Sequence, residues 1–499
     1  MLATRLRVAR MAHINRAAVQ RTAAIQRHMS SGAASGPALD EVSAFLFKSD
    51  GCLRTYVLNR SKKLNALNDD MLGILRPKIE EWAQGELAGV IVGTGVGRAF
   101  CAGGDVESVV KSASHPDTLP KAIDFFHKEF ELDYILAAMP KPYVAVMDGI
   151  TMGGGVGLGI NAPFRVATEN TVLAMPETKI GYCPDVGASY FLSRVDGEIG
   201  TYMALTSQTL NGRAVFEHGF ATHFIPARRI PGLLERLASI DHPSYAQIDS
   251  ILEEHRAERF PGEPASSLIG VVREALDKAF KHSSVEEIIV ELQSILKGST
   301  HESVRSWAQE TLDALSMRSP TSLKVALAAV RRGKNMPLLE ALQMEMNIAT
   351  AFCHGASPDF PTGVTAVITK KSKERPNWSP DTLEEVTDAY IAKEFFSTYS
   401  PDVGTAPKLA APTYLAESAR VVNPMEYALP AEAEIQQMVN GSHPASGSTE
   451  VTLDEVVQAF NVLKKGKTGL REKIVEVVAR CCTTEKDKRG EQQWLKWRH

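Results

Sequence analysis

The chain has 499 residues, 23% of them charged and 44% hydrophobic, with 36 Gly and 26 Pro. That balance excludes collagen, a coiled coil and wholesale disorder, and the length allows two to four domains of about 100–200 residues each. The formal charge is −4, but residues 1–39 carry six arginines and no acid, so the remainder stands near −10 and gives no support to non-specific nucleic-acid binding.

Residues 1–31 read as a mitochondrial transit peptide. They are rich in Arg, Ala, Met and Ser, free of acids, and lack the central apolar run of a secretory signal. Residues 40–227 read as a mixed α/β core, with strands expected at Leu53–Leu58, Gly89–Gly93, Tyr143–Met147, Phe164–Ala167 and Val172–Met175, and a helix at Asp70–Trp82. Residues 228–385 are a helical trailing region. Its clearest helix has the stripe Val285, Ile288, Ile289, Leu292, Ile295 and Leu296, with Ser283 and Glu286 as a capping box. A Pro-rich stretch from Pro358 to Pro380 closes that region.

Residues 386–499 form a C-terminal extension. It contains a linker at Asn440–Glu450, a helix capped by Thr452 and Glu455 that ends near Gly466, and a second helix over Lys473–Cys481. Lys464, Lys465, Lys467 and Arg471 read as a solvated helix end, with a docking element that includes Trp494 and Trp497 as the alternative. No run of 18 apolar residues occurs, so no membrane span is expected. The six cysteines show no C-x-x-C spacing, so neither a zinc site nor a disulfide framework is expected.

Dinucleotide and P-loop signatures fail on spacing. Gly155–Gly159 lacks the third glycine, and Asn461 stands where a P-loop ending in Gly466-Lys467-Thr468 would begin. No H-E-x-x-H or G-x-S-x-G occurs either. Three odd segments remain. Arg98–Asp105 and Asp148–Leu158 place Gly103-Gly104 and Gly153-Gly154-Gly155 after strand candidates, where backbone N–H groups can meet an anion or an oxyanion. Ala174–Gly187 sets Glu177 and Asp185 each after a proline, among apolar residues that raise a carboxyl toward neutral pH and suit it to proton transfer.

These segments, with Asn59–Leu67, Met175-Pro176-Glu177-Thr178, Pro184-Asp185-Val186-Gly187 and Ala221-Thr222-His223-Phe224, resemble the crotonase (enoyl-CoA hydratase/isomerase) superfamily. The likeness covers about residues 45–385 and is greatest to the branch that hydrolyses 3-hydroxyisobutyryl-CoA. It implies an α/β fold, a crotonase-like spiral of ββα units followed by a helical region. It also implies a mitochondrial thioesterase of valine degradation, with CoA as part of the substrate and no metal or other cofactor. By position, the Gly104 and Gly154 N–H groups would hold the thioester oxygen, and Glu177 would act as nucleophile or general base. Asp185 would hold the substrate hydroxyl or the attacking water, and Glu129 would be a further substrate-contacting acid. Lys62, Lys63, Leu64 and Ala102 would lie along the CoA.

Hydratases of the superfamily carry a second catalytic Glu where this chain has Gly157, so the resemblance favours hydrolysis over hydration. A hydratase or isomerase is one alternative; a hydrolase-like subunit of the mitochondrial ribosome is the other. An acyl-CoA is the expected partner, with no membrane and no direct nucleic-acid contact; homo-oligomerisation and ribosome association stay open. The chain departs from the hydrolase pattern at Ala188 and Ser189, where Gly is usual, and at Thr362, where an acid is common.

Overall fold

The computed structural model describes residues 43–260, 262–416, 423–447, 450–486 and 493–498; the transit-peptide segment 1–31 lies outside them. Strands β1 (Phe45–Asp50), β2 (Leu53–Leu58), β3 (Val90–Gly95), β4 (Ala99–Cys101), β5 (Tyr143–Met147), β6 (Ile150–Met152), β7 (Phe164–Ala167), β8 (Val172–Ala174), β9 (Leu210–Asn211) and β10 (His223–Phe224) divide between two sheets. The larger runs β1-β2-β3-β5-β7-β10 and is parallel apart from the β1–β2 hairpin. The smaller runs β4-β6-β8-β9.

Each central strand of the large sheet thus feeds a short strand of the small one: β3 to β4, β5 to β6, β7 to β8. This is the ββα repeat. β5 is buried along its length because both faces of a parallel sheet are covered. Tyr143, Ala145 and Met147 face one apolar core; Val144 and Val146 face a second, built against Leu233, Leu237, Ile248 and Leu252.

The helices that bear on the site and on the extension are α1 (Asp69–Gln84), α2 (Leu119–Ala138), α3 (Gly154–Ile160), α4 (Leu338–Cys353), α5 (Leu453–Leu463) and α6 (Leu470–Cys481). The first starts one residue before the predicted helix, because the Asn68 side chain accepts from the Met71 N–H and fixes the cap there. The expected capping box at Ser283 and Glu286 is displaced by one residue. Ser284 and Glu287 make the reciprocal bonds, which lets Val285, Ile288, Leu292 and Ile295 face the core. Thr452 and Glu455 cap α5 as predicted, and α6 begins at Leu470 rather than Lys473. Within the Pro-rich stretch, Val364–Thr369 continues a short helix as a π-helical turn. All six cysteines are free, and among the described residues no helix is long and apolar enough to cross a membrane.

Residues 44–499 form one compact unit, and Ile435, Phe460, Ile474 and Val477 of the extension share its main core. Buried charge joins the extension to the α/β part. Lys467, predicted on a solvated helix end, is buried: its ammonium donates to Glu253 Oε1 and to His223 Nε2, each at 3.0 Å, and lies 3.6 Å from Asp249. The charge holds Glu253 below its usual range, the His223 contact and then the charge do the same for Asp249, and burial pushes His223 down to about 4. His223 ends the large sheet, so this contact also covers an edge strand. Removing the cation leaves two partly buried acids with weaker partners, Glu253 with Arg256 at 3.5 Å and Asp249 with His223. Lys467→Ala should therefore lower unfolding free energy by about 3 kcal/mol, read as a lower denaturant midpoint; an unchanged midpoint would show that the contact holds nothing together.

Candidate active site

The small sheet directs three strand ends at one place. β4, β6 and β8 are parallel neighbours, and the chain leaves them at Gly103-Gly104, Gly153-Gly154 and Pro176-Glu177. Gly103 (φ 107°) and Gly153 (φ 48°) occupy the positive-φ region, which these turns reach only with glycine at low cost. Gly154 opens α3, where a first-turn N–H has no partner inside the helix. A Cβ on Gly154 would lie 3.4 Å from the Gly104 nitrogen, so the two N–H groups share one small space. Neither donates to a group among the described residues. Two such donors can hold a developing oxyanion.

Carboxyls surround that space. Glu177 is 5% exposed, stands on a 3₁₀ turn set by Pro176, and has its Oε1 2.9 Å from the place of a Cβ on Gly153. Glu129, on α2, packs its Oε1 over Gly154. Asp185 accepts from the Tyr182 hydroxyl at 2.9 Å. Burial pushes Glu177 up to about 8, and burial with the Glu177 charge does the same for Glu129. Burial, then Glu129, Glu177 and Glu345, holds Asp185 well above the usual carboxylate range. No Lys or Arg figures among the groups acting on these acids. The same burial lifts two thiols nearby: Cys101 up to about 12, and Cys183, two residues before Asp185, well above its usual value.

The loop that presents Asp185 is strained. Val186 has φ 59°, an outlying conformation for a β-branched residue, and Gly187 follows at φ 81°. Glu345 of α4 restrains it, accepting from Gly187 N–H at 2.6 Å, Ser189 N–H at 2.8 Å and the Ser189 hydroxyl at 2.5 Å. Ser189, a departure from the expected glycine, thus supplies a bond glycine lacks. Thr362, the other departure, is turned away: its hydroxyl bonds the Pro358 carbonyl, and buried Asp359 ties that segment to Ser319 and Ser379.

The structure brings Gly104, Gly154, Glu129, Glu177 and Asp185 together as the sequence suggested. Lys62 and Lys63 are exposed on a 3₁₀ turn beside them, because the Ala102 N–H bonds the Leu64 carbonyl and the Gly103 carbonyl accepts from Leu67. Two acids escaped the sequence reading, Asp133 and Glu345. Each lies on the apolar stripe of its helix: Phe126, Phe130 and Ala137 flank Asp133, and Leu342, Ala349 and Phe352 flank Glu345. An acid at helical spacing inside such a stripe was the available signal.

The enoyl-CoA hydratase/isomerase family profile matches residues 53–396. The chain belongs to this family. It is 37% identical over 457 residues to small ribosomal subunit protein mS47 of Neurospora crassa, covering 90% of this chain and 87% of that protein. It is 40% identical over 359 residues to mitochondrial 3-hydroxyisobutyryl-CoA hydrolase of Xenopus tropicalis, covering 72% and 90%. Among solved structures, a carnitinyl-CoA dehydratase from Mycobacterium thermoresistibile superposes with a TM-score of 0.63 at 33% identity, over 71% of this chain and 96% of that one.

Buried acids that must ionise oppose folding as pH rises. Glu177 ionises in the unfolded chain above its ordinary 4.5 but in the fold only near 8, so the opposition grows across that interval and is constant above it. Buried His218 and His223 act in the other direction below their ordinary 6.5. The melting temperature should therefore rise as pH falls from about 8 to about 6.5, with a slope of roughly 1.4 kcal/mol per pH unit for each such carboxyl. Thermal scans of Glu177→Gln should show that slope reduced by one proton; equal slopes would contradict the assignment.

Proposed function

We propose that this chain hydrolyses a short acyl-CoA thioester in mitochondria, with 3-hydroxyisobutyryl-CoA as the substrate its relatives favour. The observation that carries the reading is the seating of Glu177 against the glycine turn whose N–H groups converge, with no side chain at Gly157 to provide a hydratase's second acid. The thioester carbonyl oxygen accepts from the Gly104 and Gly154 N–H groups. Ionised Glu177 then attacks the carbonyl carbon, or takes a proton from a water that does. The C–S bond breaks as the tetrahedral centre collapses; where Glu177 has attacked, water then cleaves the acyl–Glu177 anhydride, and in either case water supplies the oxygen of the free acid and the proton with which CoA leaves as the thiol. Asp185, held by Tyr182, orients the water or the substrate hydroxyl. Each oxyanion donor contributes about 10²–10³ in rate, and the chemistry calls on no metal or redox group. The arginine-rich, acid-free residues 1–39 and the mitochondrial relatives support the location.

Thiol release from 3-hydroxyisobutyryl-CoA should rise with pH up to about 8, as Glu177 ionises. Glu177→Gln should cost about 10²–10⁴ in kcat. A folded protein that releases no thiol from this ester or from isobutyryl-CoA would overturn the hydrolase reading.

A second reading has its own observation. The match to the ribosomal protein spans 90% of the chain, so it runs into the 114 residues of 386–499, whereas the hydrolase match spans 72%. The extension is thus a feature shared with a mitoribosomal relative. We infer that the chain also assembles with the small subunit of the mitochondrial ribosome, the site being retained on a docked protein. In a sucrose gradient of mitochondrial lysate, the full chain should migrate with the small subunit at low salt; migration as free protein there would overturn this role.

A further inference from the structure

Helices α2 and α3 pack so that two acids of one lie over two glycines of the other. Glu129 covers Gly154, and Asp133, one turn on, covers Gly157, one turn on. A Cβ at Gly157 would meet Asp133 Oδ2 at 2.7 Å and Val186 Cβ at 2.6 Å, so the glycine is what admits this acid. Asp133 is 2% exposed, and neither carboxyl oxygen has a hydrogen-bond partner among the described residues. A buried acid in that state destabilises the fold relative to an apolar residue of similar volume. Nothing in the architecture uses it. It lies over Gly157, one turn along α3 from Gly154, and three acids, Glu129, Asp185 and Glu345, act on it electrostatically.

We propose that Asp133 is a specificity-determining residue, hydrogen-bonding the uncharged polar end of a short acyl group, such as a hydroxyl on C3, whose thioester carbonyl is held at Gly104 and Gly154. The inference rests on the hydrolase reading for the position of that carbonyl. From Gly154 to Gly157 the helix rises about 4.5 Å, so a group that meets Asp133 lies only a few bonds from a carbonyl held at Gly154. Burial and its acidic neighbours push Asp133 well above the usual carboxylate range, toward the protonated form that can both donate to and accept from a hydroxyl. A hydrocarbon acyl chain would leave the acid unpartnered. An acyl chain ending in a carboxylate would meet four acids, Asp133, Glu129, Asp185 and Glu345, and no cation among the described residues. The order of preference is therefore hydroxyacyl, then alkyl, then carboxyacyl.

The test is kcat/KM of the full chain and its variants on 3-hydroxyisobutyryl-CoA, isobutyryl-CoA and methylmalonyl-CoA. Asp133→Leu should lower the first by about 10- to 100-fold, leave isobutyryl-CoA nearly unchanged, and raise the melting temperature, which loss of a structural residue would lower. Asp133→Ala takes its place should the leucine variant not fold. Asp133→Asn, which keeps a donor and an acceptor, should restore most of the preference for the hydroxylated ester. Equal losses on both uncharged esters, or an unchanged ratio, would overturn the proposal. If the parent turns over neither ester, the hydrolase reading falls and calorimetric Kd values decide this one. A Kd preference for the hydroxylated ester that Asp133→Leu abolishes would support it. An unaltered preference, or none in the parent, would overturn it.

Discussion

The arrangement depends on a packing constraint between α2 and α3. A helix carrying Glu129 and Asp133 can lie against another only if the second is bare at the facing positions, and Gly154 and Gly157 make it so. The same bareness leaves the first-turn N–H of Gly154 open toward Gly104. Room for the acids and access to the donors thus come from one run of glycines: a side chain at Gly154 would meet Glu129 and crowd the Gly104 nitrogen, and one at Gly157 would meet Asp133 and Val186. The cost is a helix with little propensity of its own, Gly154-Gly155-Val156-Gly157-Leu158-Gly159-Ile160, held in shape by its burial.

Strain and uncompensated charge are concentrated here and offset elsewhere. Glu129, Asp133, Glu177 and Asp185 are buried without a Lys or Arg acting on them among the described residues, and Val186 is held in a conformation its side chain resists. Outside the site, buried charges are paired: Arg273 with Asp277 and Glu432, Arg480 with Glu432 and Glu476, Lys473 with Asp196, Lys467 with Glu253. Buried Arg165 spends its guanidinium on backbone carbonyls, including that of Pro424 in the extension. These pairings run between the α/β part, the helices and residues 424–480, so the extension is integral to the body that supports the site.

Local signals in the sequence were enough for the strand ends and the glycine turns. Tyr143–Met147 and Phe164–Ala167 read as strands because short β-branched runs bounded by Gly and Pro have few other uses, and both are strands at those residues. Glu177 and Asp185 stood out because proline fixes the backbone before each. Long-range partners had no such signature. Nothing near Lys467 indicates that Glu253, over two hundred residues earlier, will bury it. Glu345 is equally remote from Ser189, its hydrogen-bonded partner. The capping box slipped by one residue because Ser283 and Ser284 are adjacent and each has a Glu three residues on; only packing of the stripe chooses between them.

The buried thiols bear on what this centre avoids. Thioesters exchange with thiolates rather than thiols. Cys101 lies at the end of the strand that leads to Gly104, and Cys183 sits between the two predicted catalytic acids. With Cys101 lifted to about 12, its thiolate is only about one part in 10⁴ at pH 8. The burial that lifts Glu177 to about 8 therefore also silences the sulfurs. A thioester bound there would meet sulfur as thiol, so these two cysteines would not compete for its acyl group.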